Sequence, residues 1–277
     1  MIKLNLIFIT GAANLVVPSL SLMMKKVVLV SIFAIGFFSR LFAQEIIEKP
    51  IASFIGIDIN YGFGLPLADL KSRYGQHLIV GSDLIFQPKS TKWAIGLSGH
   101  YGFGNNVKED VVSAFRTQHE GLLIGSDGFL AEVKLKERVY IAQVWLGTIV
   151  PLGSQRSARH GIRIKCGLGY FKHFIKILDE SRSLPQFNDE YIKGLDRRTG
   201  GILISNFTGY EYLDNKNRIC FYVGVEPMWG LGKSLANVQY DTNPYNGLSS
   251  RNDVLLNFKA GWIIPLIKIR KSDEIEY

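Results

Sequence analysis

The chain has 277 residues, 47% of them hydrophobic and 12% aromatic, enough for one large domain. Its formal charge is +8, yet residues 1–43 hold four bases (Lys3, Lys25, Lys26, Arg40) and no acid, and beyond them 28 Lys+Arg face 24 Asp+Glu, a net of +4. The basic balance thus belongs partly to a targeting segment, and without a basic stripe or a recognised module it does not indicate a nucleic-acid partner.

The N-terminus reads as an export address. Met24-Lys25-Lys26 precedes the apolar run Val27 to Phe38 and then Ser39-Arg40-Leu41-Phe42-Ala43, the order of a secretory signal peptide over residues 24–43. Cleavage is expected between Ala43 and Gln44. The run is too short for an ordinary membrane helix, which needs about 20 apolar residues. Residues 1–23 are expected to be a mis-assigned extension upstream of the true start, the alternative being a helical hairpin in the inner membrane. A short periplasmic segment (44–51), a barrel (52–266) and a charged periplasmic tail (267–277) complete the expected organisation.

From Ile55 onward, side chains alternate with period two, the mark of strands. In the first strand Ile55, Ile57, Ile59, Tyr61 and Phe63 share a face opposite Gly56, Asp58, Asn60 and Gly62. The second, near Leu78 to Phe86, carries Asp83 on its inner face. The third sets Trp93, Ile95, Leu97, Tyr101 and Phe103 against Ala94, Gly96, Ser98, His100 and Gly102. The fourth, Val139 to Val150, is apolar on both faces, with Gln143 and Trp145 expected inward. The fifth opposes Ile162, Ile164, Cys166, Leu168 and Tyr170 to Arg163, Lys165, Gly167 and Gly169. The sixth, Ile202 to Tyr212, has an ambiguous phase around Asn206 and Phe207. The seventh opposes Ile219, Phe221, Val223, Val225 and Trp229 to Cys220, Tyr222, Gly224 and Glu226. The last opposes Val254, Leu256, Phe258, Ala260, Trp262 and Ile264 to Leu255, Asn257, Lys259, Gly261 and Ile263.

The apolar rows are uniform and end in aromatic residues, Trp93, Trp262, Phe86, Tyr210 and Tyr212 toward one rim and Tyr61, Phe63, Tyr101, Phe103, Tyr140, Tyr170 and Trp229 toward the other. Aromatic rings favour both membrane interfaces, so the apolar face is expected outward and the fold all-β, an eight-stranded antiparallel up-and-down transmembrane β-barrel. A soluble lipocalin-like barrel, with its apolar face inward, is the disfavoured alternative. Long connections (64–76, 104–137, 176–200, 231–250) alternate with short ones (88–92, 153–159, 214–218), which would place the short turns and both mature termini in the periplasm. Cys166 would face outward and Cys220 inward on strands that are not neighbours. Two free thiols are expected, and a disulfide framework or Cys-rich zinc site is excluded.

Four stretches carry a resemblance: Leu41-Phe42-Ala43 before Gln44-Glu45, Gly64-Leu65-Pro66-Leu67-Ala68-Asp69-Leu70, Gly104-Asn105-Asn106-Val107-Lys108-Glu109-Asp110, and Gly261-Trp262-Ile263-Ile264-Pro265-Leu266. Together they resemble the small, OmpA-like outer-membrane β-barrel proteins of the Bacteroidota. The resemblance implies the fold and an outer-membrane location and transfers no functional residue. The charged tail from Lys271 to Tyr277 departs from barrels that end on the last strand's aromatic residue.

The inward residues Asp58, Asp83, His100, Arg163, Lys165, Glu226 and Lys259, with Glu211 as a further member, form a mixed-charge set expected to pair inside a narrow lumen. A proton or small-ion path is the sharper reading of the same set. Hydroxyl–His–carboxylate chemistry on lipid would draw on Ser113, His119 and Glu120 or on Ser234, Ser249 and Ser250, but no Gly-x-Ser-x-Gly elbow surrounds a serine. The histidines (His77, His100, His119, His160, His173) show no metal-binding spacing, and Asp179, Glu180, Asp189 and Glu190 lack the pattern of a calcium loop. No cofactor is expected. Val107 to Phe115 is expected to form a short amphipathic helical turn, and Leu122–Ile124 with Phe129–Val133 a hairpin that extends the wall and offers the best surface for partner contact. The expected role is non-enzymatic, structural or interacting, with a plugged polar lumen and long extracellular loops. The alternatives are a subunit of a secretion or gliding machine and a lipid-modifying enzyme. Expected partners are outer-membrane lipid and lipopolysaccharide, the assembly machinery during insertion, and envelope-complex proteins.

Overall fold

The computed structural model describes residues 53–88, 91, 93–117, 121–152, 161–180, 183–185, 187–213, 220–236, 240 and 250–268. The elements in chain order are β1 (Phe54–Leu67), α1 (Ala68–Arg73), β2 (His77–Gln87), β3 (Trp93–Gly104), a 3₁₀ turn (Ser113–Phe115), β4 (Leu123–Ile124), β5 (Leu130–Ala131), β6 (Val133–Pro151), β7 (Gly161–Asp179), α2 (Asp189–Ile192), β8 (Thr199–Leu213), β9 (Cys220–Ser234) and β10 (Arg251–Lys268). Eight of the strands close into an antiparallel barrel in the order β1-β10-β9-β8-β7-β6-β3-β2. Each strand therefore pairs with its nearest barrel strand in sequence, and β1 pairs with β10 to seal the ring, from Ile57↔Ile264 to Leu67↔Val254. Closure leaves the ring without an edge strand.

The apolar rows face outward. Ile59, Leu97, Leu168, Ile202 and Val223 are each more than half exposed, while Asp58, Ser98, Gln143, Lys165 and Lys259 on the opposite phase are buried. This is inside-out relative to a soluble protein. Cys166 lies outside and Cys220 inside, both as free thiols.

Proline decides two irregularities. The β8–β9 ladder runs from Ser205↔Met228 to Thr208↔Val225 with no pairing at Asn206 and Phe207, where Pro227 has no N–H to donate. The phase nonetheless persists, with Phe207 buried inside. Opposite Pro265, the β1–β10 register shifts between Ile55 and Gly56.

Three sequence expectations need correction. First, the wall is taller than expected at one corner. β6 and β7 run 19 residues each and pair as far as Val133↔Asp179, so the connections expected at 104–137 and 176–200 shrink to 105–132 and 180–198. The cause is a change of surroundings: above Tyr140 and Tyr170 the outward phase becomes Lys136, Arg138, Lys172 and Lys176, while Val139, Ile175 and Ile177 turn inward. The alternation continues with its polarity reversed, which disguises it as loop. Second, β4 and β5 do form a hairpin, but as a separate two-stranded sheet rather than a prolongation of the wall. Third, the lumen is not polar throughout. One apolar cluster (Phe54, Ile85, Trp145, Phe207, Cys220, Tyr222, Ile263) packs among the lower charges as a floor, and another (Ile79, Val139, Ile141, Phe171, Leu203, Met228, Leu255) lies toward the end of the long connections. The helical turn expected in 107–115 is the 3₁₀ segment Ser113–Phe115. The expected extension and signal peptide (1–43) with the cleavage point between Ala43 and Gln44, the turns 153–159 and 214–218, Ile219 and the tail from 269 onward lie outside the described residues.

Candidate functional site: a charged lumen beneath a folded cap

The lumen is built by the inward phase of all eight strands, and its charges meet in layers. Nearest the short turns, Arg163 on β7 and Glu211 on β8 pair, Nε to Oε2 2.6 Å. Both stand beside the apolar floor, where Trp145 lies against Gly96 on β3. A Cβ at position 96 would run into the indole ring, so a glycine there makes room for the largest side chain of the floor.

The next layer centres on Lys165. Its Nζ lies 2.8 Å from Asp83 Oδ2 and 4.0 Å from Asp58 Oδ2, and it sits over the rings of Trp145, Phe207 and Tyr222 at 4.5, 5.1 and 5.4 Å. Asp58 in turn accepts the Tyr222 hydroxyl at 3.0 Å, and Asn60 bridges Asp58 and Asp83. One cation thus serves two carboxylates, with neutral donors and aromatic faces supplementing it.

Above this, Lys259 on β10 pairs with Glu226 on β9 and reaches His100 Nε2 at 3.0 Å. An ammonium can only donate, so His100 accepts through Nε2 and carries its proton on Nδ1. Gln143 donates to Glu226 at 3.1 Å and accepts from Ser205 at 2.8 Å. All eight sequence-selected residues (Asp58, Asp83, His100, Arg163, Lys165, Glu211, Glu226, Lys259) lie inside, none more than 7% exposed.

Sequence reasoning missed the polar groups above the upper apolar layer. His77 and Glu137 stand 3.2 Å apart and are fully buried, and His173 Nε2 lies 2.9 Å from Asp253 Oδ2. Tyr74, just after α1, places its hydroxyl 3.2 Å from His173 Nδ1. The Asp253 carboxylate takes Nε2–H, leaving Nδ1 to accept from Tyr74. Burial pushes the Tyr74 hydroxyl well above its ordinary range, so it stays a donor. This hydroxyl–His–carboxylate line has the connectivity of a catalytic relay, but Tyr74, His173 and Asp253 are all buried. Its effect is to clasp the α1 turn to β7 and β10. The signal for these residues was the period-two phase itself, carried past the aromatic row.

The described residues of the connections 105–132 and 180–198 fold into a cap. Val111, Val112, Leu123, Ala131, Leu184, Phe187 and Leu195 join the upper barrel residues in one apolar cluster. Charge locks it: Glu109 accepts from Arg73 on α1 at 2.6 Å and from Arg197 before β8 at 2.5 Å. Burial alone would raise the Glu109 carboxyl, but the two guanidinium groups outweigh it and hold the pKa below the usual carboxylate range. Arg73 also donates to the Arg197 carbonyl and the Thr199 hydroxyl.

The remaining sequence candidates are scattered. Ser113 sits in the 3₁₀ turn, Ser234 ends β9 and Ser250 precedes β10, while His119, Glu120, His160 and Ser249 lie outside the described residues. Asp179 accepts from the Leu184 amide and Glu180 pairs with Lys134. Among the described residues no group of three or more His, Cys, Asp or Glu is placed to hold a metal.

No family model matches the chain, and no curated protein matches it by sequence. Among solved structures it is similar to Ail, the attachment invasion locus protein of Yersinia pestis, in complex with the heparin analogue sucrose octasulfate. The identity is 9%, with 77% of this chain and 100% of that chain covered and a TM-score of 0.40. Ail on its own gives 8%, 77%, 99% and 0.38. The outer membrane protein OprG from Pseudomonas aeruginosa gives 10%, 79%, 99% and 0.32.

Proposed function

We propose that this chain is an outer-membrane β-barrel that neither conducts nor catalyses, and that it works through the folded cap it holds above the membrane. The observation that carries this reading is the inversion of solvent along one wall. Leu146, Leu168 and Ile204 are half exposed or more on the outside, level with Lys165 and Gln143 sealed within. Such a surface is costly in water and favourable in hydrocarbon. An eight-stranded ring has room for its own side chains or one small ligand, whereas aqueous channels need about 16–18 strands. The layered ion pairs, the apolar clusters packed with them and the cap cluster all support a closed lumen.

The test has two arms. Folded protein in detergent is expected to migrate differently before and after boiling, and reconstituted protein is expected to give no steady conductance in planar bilayers. Identical migration would overturn the membrane reading. Nanosiemens-level conductance would overturn the closed lumen.

A further inference from the structure

Outside the lumen, the outward face of β6 and β7 changes character within a few residues. Along the paired strands, outward partners run from Val144↔Leu168 to Ala142↔Tyr170, then Tyr140↔Lys172, Arg138↔Phe174 and Lys136↔Lys176. An apolar band gives way to an aromatic row and then to four cations. Tyr101 and Phe103 on β3 continue the aromatic rows beside Tyr140 and Arg138.

Three features make the cations more than a solvated rim. Lys136 and Lys176 are direct cross-strand partners, whose Cβ atoms stand about 5 Å apart, an arrangement that is destabilising for like charges. Among the described residues, Lys136 and Lys176 make no ion pair with an acid; Lys172 lies over the Phe174 ring at 5.9 Å and acts electrostatically on Asp196, and Arg138 donates to the Glu137 carbonyl. Nearby cations are neutralised: Lys134 pairs with Glu180, and Arg198 with Asp196. The cluster is also one-sided. Toward the same end, β1 and β10 turn Phe63, Leu65, Leu256 and Val254 outward.

We infer that Lys136, Lys176, Arg138 and Lys172 form a binding site for the phosphate groups of a phosphorylated lipid of the outer leaflet, its acyl chains lying against Val144 and Leu168. The inference rests on the membrane placement proposed above. Charge and continuity select this occupant. A phosphate bridging Lys136 and Lys176 turns their repulsion into two charge-assisted hydrogen bonds, and Arg138 suits bidentate contact with a phosphate. The aromatic row fits the level where headgroups meet hydrocarbon. A soluble anion would satisfy the charges but leave the adjoining apolar band unused.

The test uses the full chain, purified folded in detergent, and measures binding of bisphosphorylated lipid A and of the same lipid stripped of its phosphates. The intact lipid is expected to bind preferentially, and K136Q/K176Q is expected to weaken it about tenfold, roughly 1.4 kcal/mol. R138Q/K172Q should weaken it comparably, while Lys233→Gln on β9 leaves binding unchanged. Equal binding of the two lipids, or unaltered binding by both double variants in protein that keeps its heat-modifiable migration, would overturn the site while leaving the membrane placement intact. Full displacement of the lipid by inorganic phosphate would overturn the lipid as occupant. Loss of heat-modifiable migration in the wild-type chain would remove the placement and this site together.

Discussion

Lys165 and Asp83 meet across the lumen, Nζ 2.8 Å from Oδ2, although their strands β7 and β2 are separated in the ring by β6 and β3. The contact ties distant parts of the wall together and shares its cation with Asp58 on β1, the strand opposite β7 in the ring. Removing one side leaves a charge buried without its partner. Lys165→Met is therefore expected to cost about 3–5 kcal/mol, read as a lowered urea midpoint for unfolding from bilayers. Adding Asp83→Leu should recover part of that loss. A single variant as stable as wild type would show that Lys165 is not held by these carboxylates.

The cap should open in acid. Glu109 has its pKa lowered in the folded cap by Arg73 and Arg197, so its stabilising contribution is present above the ordinary carboxylate value of 4.5. It is lost as the pH falls below that value and through the depressed one. Amide hydrogen exchange in 105–117 is expected to accelerate over that acidic window while the barrel strands stay protected. Glu109→Gln should exchange fast at neutral pH and lose the dependence. A wild-type cap equally protected on both sides of the window would contradict this.

Leu97 lies outward between Leu84 and Val144 and is 57% exposed. In a bilayer, Leu97→Lys is expected to cost about 2–4 kcal/mol, since a cation near the midplane of a barrel wall loses its hydration. The same change on a water-facing wall would be nearly neutral. Equilibrium folding into vesicles measures the difference, and a neutral result would count against hydrocarbon as the solvent.

Gly96→Ala should destabilise by overpacking, because its new methyl group would meet the Trp145 ring and lie 2.7 Å from the Leu84 carbonyl. About 1–3 kcal/mol is expected, with a shifted tryptophan emission as the floor rearranges. Unchanged emission and stability would mean that the floor is loosely packed.

The barrel was legible in the sequence because its evidence is local. Ile57, Ile59 and Tyr61 against Gly56, Asp58 and Asn60 disclose both a strand and its two faces, since strand side chains alternate whatever the neighbours do. The same phase selected Asp58, Asp83, His100, Arg163, Lys165, Glu226 and Lys259, all buried inside, but not His77, Glu137, His173 and Asp253. It failed at Val133–Arg138 and Phe171–Asp179, where the strands continue but the solvent changes. There Lys136 and Lys176 face out and Val139 and Ile175 face in, so a pattern read as apolar-outward seemed to stop. The clasp of Tyr74, His173 and Asp253 was invisible for the same reason.

The amino-acid order by itself determined how many strands form the barrel and which residues share a face. Each depends on spacing along the chain alone. Only the tertiary structure decided who meets whom inside: Lys165 with Asp83 rather than with an acid on an adjacent strand, and Glu109 with both Arg73 and Arg197. Those pairings depend on strand register, on closure of the ring and on connections folding back over its mouth. Such properties arise between segments far apart in sequence and leave no periodic trace in any one of them.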